Sequence, residues 1–194
     1  ASIGMAGNGN GIRYQYGLFQ QRFVDGYQVE LPDDWLRDPD MWETRKENRA
    51  VIVKYGGQVE LRPRPNGSLQ AIYHDTDDVL AVPYDTPMVG YHTGVVNTLR
   101  LWRAETVPGR VHNLAEKARV NQITQILYPD DSDSAGRELR LRQEYFFVSA
   151  GIQSIVTHFK RFHSDLAVLP HFVAIHINDT HPAMAVLELM RILL

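Results

Sequence analysis

Asp179 and His181 lie two residues apart in Asn178-Asp179-Thr180-His181-Pro182. A carboxylate and an imidazole on one loop can hydrogen-bond a polar ligand. The run before them, Phe172-Val173-Ala174-Ile175-His176-Ile177, is short, apolar and bounded by polar residues. That is the pattern of a buried parallel strand. Pro182 falls where a first helical turn tolerates proline, and Ala183 to Leu194 continues as an apolar helix. Open α/β sheets bind ligands at the carboxyl ends of their strands, which is where this loop would sit. The same spacing also lets Asp179 or Thr180 act only as the helix cap. Both roles stay open at this point.

A second constellation begins at Tyr128-Pro129-Asp130-Asp131-Ser132. Tyr128 offers a flat aromatic face for stacking on a ligand ring, or a ring for the core. Asp131 to Gly136 opens like a calcium loop, but Ala135 and Arg142 stand where the fifth and twelfth positions need oxygen ligands. The stretch therefore reads as a helix entry capped by Asp133 or Ser134. Arg140, on the first turns of that helix among Arg137, Glu138 and Arg142, has the setting of a solvated or ion-paired residue. Gly7-Asn8-Gly9-Asn10-Gly11 invites a phosphate-loop reading, yet the order of helix and extended segment around it is reversed, so it reads as a tight turn. The histidine pairs His158/His163 and His176/His181 are five apart, not the four of a helical zinc site. No metal site is expected, and no Gly-x-Ser-x-Gly nucleophile elbow occurs. Asp75, Asp77 and Asp78 read as a hairpin turn.

The elements that must position these residues follow from pattern. Residues 20–50 read as a loop with a short helical piece at Asp33 to Leu36. Val51 to Leu61 reads as two strands joined at Gly56-Gly57. Leu69 to His74, Asp78 to Pro83 and Val95 to Arg103 are further strands, so about 51–103 is a mostly antiparallel β-region. Asn113 to Ile126 is helical, with Leu114, Val120 and Ile123 apolar. A longer helix from about Gly136 to Phe162 carries Tyr145, Val148, Ile152, Ile155, Val156 and Phe159 on one stripe. Arg137, Arg142, Gln143, Lys160 and Arg161 fall on its opposite face. The fold class is therefore α/β with an antiparallel β insertion.

Composition narrows the class. The 194 residues suit one domain or a large piece of one. A net charge of −3 argues against a nucleic-acid binder, which needs a basic stripe. No apolar run approaches the ~20 residues that cross a bilayer, so no membrane partner is expected. Zero cysteines exclude disulfides and fit a reducing cytoplasm. Ala1-Ser2-Ile3-Gly4 reads as the last turn of a helix closed by glycine, and Met190 to Leu194 stops inside an apolar helix. Both ends are those of a piece of a longer protein.

Four blocks in order carry a resemblance over nearly the whole chain. They are Gly11-Ile12-Arg13-Tyr14-Gln15-Tyr16-Gly17 through Asp33-Asp34-Trp35-Leu36; Pro83-Tyr84-Asp85-Thr86-Pro87 with Asn97-Thr98-Leu99-Arg100-Leu101-Trp102; Tyr128-Pro129-Asp130-Asp131 with Gly136 to Phe146; and Asn178 to Pro182 with Glu188-Leu189-Met190-Arg191. Together they resemble the α-glucan phosphorylases, the glycogen, starch and maltodextrin enzymes. The resemblance implies residues 1–194 of a Rossmann-like N-terminal domain in a two-domain glycosyltransferase, without its C-terminal cofactor domain. It implies phosphorolysis of an α-1,4-glucan to glucose 1-phosphate, with this piece as one wall of the cleft. The alternative is a non-catalytic carbohydrate-binding or structural module. Tyr128, Asp131, Ser132, Arg140, Asp179 and His181 become substrate-binding candidates, with no catalytic, cofactor or metal residue of their own. The loop after Tyr128 gates the site in this family; Asp131 matches its acid, while Asp130 and Ser132 depart from the family's Asn-Asp-Asn. Pyridoxal phosphate is implied on a lysine of the longer protein, and none of Lys46, Lys54, Lys117 and Lys160 lies in that motif. The parent is expected to be a cytoplasmic homodimer acting on glucan and phosphate. Thr157 and His158 stand where animal relatives carry an arginine pair for a nucleotide activator, and they offer an anion little attraction. The family also carries a longer segment before the Leu114 helix than the one at Pro108 to Val111.

Overall fold

The computed structural model describes every residue except 39, 66, 111, 112, 178–182 and 194. In chain order its elements are β1 (Asn8–Ile12), β2 (Gln20–Val24), β3 (Tyr27–Leu31), β4 (Thr44–Arg45), β5 (Val51–Tyr55), β6 (Gln58–Pro63), β7 (Leu69–His74), β8 (Asp77–Val89), β9 (Val96–Thr106), α1 (Leu114–Gln122), α2 (Ser134–Phe159) and α3 (Met184–Leu193). Short 3-10 turns cover Trp35–Arg37, Glu47–Arg49 and Leu166–His171. The main sheet runs β1-β9-β8-β4, with β5 also on β8. Only β1 and β9 are parallel in it; β8 is antiparallel to β9, β4 and β5. β2–β3 and β6–β7 are separate antiparallel hairpins. The chain is thus mixed α/β, with a mixed sheet and antiparallel additions.

β8 is the central strand, and its run Asp78, Val79, Ala81, Val82 and Pro83 is buried. A strand covered on both faces keeps apolar residues in succession rather than alternating. Pro83 sits at the changeover from β5, whose pairing ends at Ala81, to β4, which begins at Tyr84, a place where the ladder tolerates proline. Val53, Val79, Ala81, Trp102 and Ala104 of the sheet meet Val120, Ile123, Phe146 and Ala150 in one core. Val148, Ile152 and Val156 pack with Ala185 in a second. α2 therefore has two buried faces, which is why its apolar residues exceed a single stripe.

The strands of the β-region and the Asp133 cap of α2 fall where pattern places them, and α1 has a cap of its own. Asn113 forms a capping box with Glu116, and Asp133 accepts from Gly136 N at 2.8 Å. Other expectations are overturned. Gly7 to Gly11 is not a tight turn: residues 8–12 form β1 beside β9. A Cβ on Gly9 or Gly11 would come within 3.0 or 3.1 Å of Leu99 or Leu101, so glycine admits those side chains across the pair. Residues 20–31 are not a loop but a hairpin, turned by Asp25 and Gly26 at φ 50° and 83°, the type I′ signature. Gln143 is buried and Arg142 is ion-paired to Asp77 at 3.1 Å, so neither lies on a solvated face. Asp77 and Asp78 open β8 instead of decorating a turn. Buried Asp78 meets Lys54 at 3.4 Å and Arg110 at 3.2 Å.

The buried strand expected at Phe172 to Ile177 does not form. Residues 173–177 have no regular structure, and Phe172, Ile175 and Ile177 are exposed. A parallel strand is buried only by neighbouring strands and covering helices, and no described strand pairs with this run. Phe172 packs instead against His163, the rings tilted by 34° with centroids 4.2 Å apart.

Candidate functional site

The segment from Thr124 to Tyr128 is gripped on both sides through its backbone. On one side Gln15 N donates to Thr124 O at 2.8 Å and Tyr16 N to Gln125 O at 3.1 Å. On the other, Gln143 Nε2 donates to Ile126 O at 2.9 Å and Arg140 Nη1 to Leu127 O at 3.2 Å. Four successive carbonyls are thus satisfied, the first two by the segment after β1 and the next two by α2. This fixes where the chain leaves the core at buried Pro129 and presents Tyr128, 70% exposed.

The loop beyond folds back on the start of α2. Asp130 Oδ1 accepts from Ser132 N at 3.0 Å, and this bond holds its carboxyl below the usual range. Arg137 Nη1 reaches Ser132 O at 3.0 Å and Asp131 O at 3.3 Å. Gly136 lies directly under the Asp130 carbonyl, where any Cβ would collide. Asp131 and Ser132 are exposed.

Arg140 lies beside Tyr128, its guanidinium carbon 6.0 Å from the ring centroid, and 3.7 Å from Glu144. Tyr14 joins this group. Burial pushes its phenol up to about 12, while the Arg140 charge opposes that rise and Tyr128 and Glu144 add to it. The strand end carrying Tyr14 is clamped: Arg13 pairs with Glu43 at 2.7 and 2.8 Å and lies 4.1 Å from the Tyr84 centroid. Trp35 Nε1 donates to Tyr14 O at 3.1 Å. An exposed tyrosine beside an arginine and a carboxylate brings donors, acceptors and an aromatic face together, a surface suited to a polar ring-shaped ligand.

Of the residues expected from sequence, Tyr128 and Arg140 lie together, Asp131 and Ser132 are exposed on the loop that follows Tyr128, and Asp179 and His181 lie outside the described residues. Tyr14 and Gln143 were missed as site residues. Tyr14 follows β1, a strand the sequence pattern did not mark, and Gln143 gave no signal because its role depends on a backbone 17 positions away.

Behind the site, α3 is locked to α2. Glu188, 3% exposed, accepts from Ser149 Oγ at 2.6 Å and from Arg191 at 2.6 and 2.8 Å. Arg191 also donates to Tyr73 OH at 2.8 Å. Among the described residues no cluster of His, Asp and Glu could hold a metal, and no helix is long and apolar enough to cross a membrane.

The model of the carbohydrate phosphorylases matches residues 1–194. The chain belongs to the carbohydrate phosphorylase family. It is 48% identical over 197 residues to a glycogen phosphorylase of Bacillus subtilis and 44% over 205 residues to one of Haemophilus influenzae. Against the brain form of glycogen phosphorylase from Bos taurus it is 41% identical over 211 residues. In each case all of this chain is covered and 24% of the relative. The chain spans about a quarter of the length of these phosphorylases. Lys54 is tied to Asp78, Lys117 is exposed, and Lys160 is exposed at the rim of an open groove beside α2.

Proposed function

We propose that this chain is part of the Rossmann-like N-terminal domain of a cytoplasmic, homodimeric glycogen or α-glucan phosphorylase. That enzyme would split an α-1,4-glucosidic bond with inorganic phosphate and release glucose 1-phosphate. The observation that carries the reading is the strapped Tyr128–Ser132 loop, which sets an exposed tyrosine beside Arg140 in a chain 40–48% identical to glycogen phosphorylases. This piece would form one wall of the cleft. Tyr128 would face a sugar ring. Arg140, Asp131 and Ser132 would present hydrogen-bonding groups along the glucan, with Asp179 and His181 from the residues preceding α3. Such groups act by orienting reactants. Pyridoxal phosphate, whose phosphate group exchanges protons with the substrate phosphate in this family, would be held by the longer protein. The residues here do not fit it, and no step is assigned to it on this chain.

The test uses the full-length protein that carries this sequence. It should release glucose 1-phosphate from glycogen and phosphate without adenosine monophosphate, since Thr157 and His158 stand in place of an arginine pair and lack its fixed charge and forked donors. Asp179→Ala and His181→Ala should each lower kcat/KM roughly tenfold to hundredfold with the fold intact, the cost of leaving a bound polar group unpaired. Near-normal kinetics with a lowered Tm for Asp179→Ala would reduce that residue to a helix cap. Glucan binding with no phosphorolysis would favour the non-catalytic carbohydrate-binding module.

A further inference from the structure

Arg137, Arg140 and Gln143 stand three residues apart along one row of α2, and all three donate to backbone carbonyls of the segment that doubles back over them. Arg137 takes residues 131 and 132, Arg140 takes Leu127, and Gln143 takes Ile126. The row and the segment run in opposite directions, so the helix acts as a ruler for the loop. Gln143 is the member that solvent cannot replace, being 1% exposed, whereas Arg137 is exposed.

The carboxamide of Gln143 is poorly suited to stabilising a core. Its Nε2 bonds Ile126 O, but its Oε1 is buried without a hydrogen-bond partner. An orphan acceptor costs about as much as one hydrogen bond contributes, and an apolar side chain of the same shape would avoid it. The amide is therefore accounted for by its reach to the carbonyl two residues before Tyr128, not by its burial.

We infer that Gln143 is a positioning residue for glucan binding, acting through the backbone of Ile126 and Leu127 to set the height of Tyr128 and the loop to Ser132. The inference rests on the phosphorylase reading and adds a residue that touches no substrate. Loss of the strap frees the loop without emptying the core, so it weakens glucan binding and leaves phosphate binding alone.

The experiment is a double-mutant cycle in the full-length enzyme, with a maltooligosaccharide and inorganic phosphate as substrates. Gln143→Met, close in size and lacking both the donor and the orphan acceptor, should raise the glucan KM about threefold to tenfold, the factor for one lost hydrogen bond. The KM for phosphate and the Tm should not change. In a Tyr128→Ala background the same substitution should have no further effect, because residues acting through one another are not additive. An unchanged glucan KM, or the same factor in both backgrounds, overturns the inference. If Gln143→Met fails to fold, Gln143→Leu is carried through the same cycle; failure of both to fold means a core role and also overturns it. A wild-type enzyme without phosphorolysis would instead remove the phosphorylase reading itself.

Discussion

Glu188→Ala should loosen α3 from α2 by about 2–4 kcal/mol. The magnitude follows from what the substitution leaves behind. Ser149 is fully buried and donates to Glu188 at 2.6 Å, so its hydroxyl loses its acceptor at a cost of ~1–3 kcal/mol. Arg191 loses two charge-assisted bonds, but its side chain is 38% exposed and water takes their place, limiting that contribution to under ~1 kcal/mol. The small void left by the shortened side chain adds about 1 kcal/mol. In a cooperative unit of this size each kcal/mol lowers Tm by about 2–4 °C, giving a drop on the order of 5–15 °C. Thermal unfolding followed by circular dichroism reads it. The paired variant Glu188→Leu with Arg191→Leu should recover much of the loss, because replacing both partners with apolar groups removes the unpaired charge. A Glu188→Ala protein melting with wild type, or a double variant no more stable than the single, would refute the polar-lock account in favour of simple packing.

Two further outcomes follow from other sites. For Asp78, burial works to raise the carboxyl pKa, but the Thr76 hydroxyl, Lys54 and Arg110 more than offset it, so the native pKa is depressed. Its stabilisation is then complete above the ordinary carboxylate value and lost as pH falls through the native one; Asp78→Asn should flatten the acid limb of a Tm-against-pH scan below about pH 4, and a limb as steep as wild type would refute this. Gly136→Ala should lower Tm and raise the glucan KM of the full-length enzyme, since its Cβ would strike the Asp130 carbonyl. Gly94→Ala, with open space around it, should change neither, and equal behaviour of the two variants would count against the close approach.

Local chemistry made much of the fold legible. Leu69 to His74 is strand because β-branched and aromatic residues lie between turn residues, and Asn113 and Asp133 cap helices because their side chains reach the third amide beyond. The Asp25-Gly26 hairpin was read as loop because few apolar pairs mark its strands, although that dipeptide favours paired positive φ. Where local pattern failed, the deciding partner was distant. Gly9 and Gly11 could be turn or strand until Leu99 and Leu101 stood against them. Phe172 to Ile177 has the residues of a buried strand, but burial belongs to neighbours and not to the run itself.

The candidate site divides along the same line. The types and order of Tyr128, Asp131, Ser132 and Arg140, with Asp179 and His181, were determined by sequence, together with the family to which such blocks belong. Tertiary structure alone decided that Arg140 lies beside Tyr128 while donating to Leu127, that Gln143 holds Ile126, and that Glu188 closes on Ser149. Each of these joins residues far apart in the chain, and a buried polar group takes whichever partner the packed fold brings within about 3 Å. No local spacing encodes that choice, because it is settled only when the sheet and helices meet.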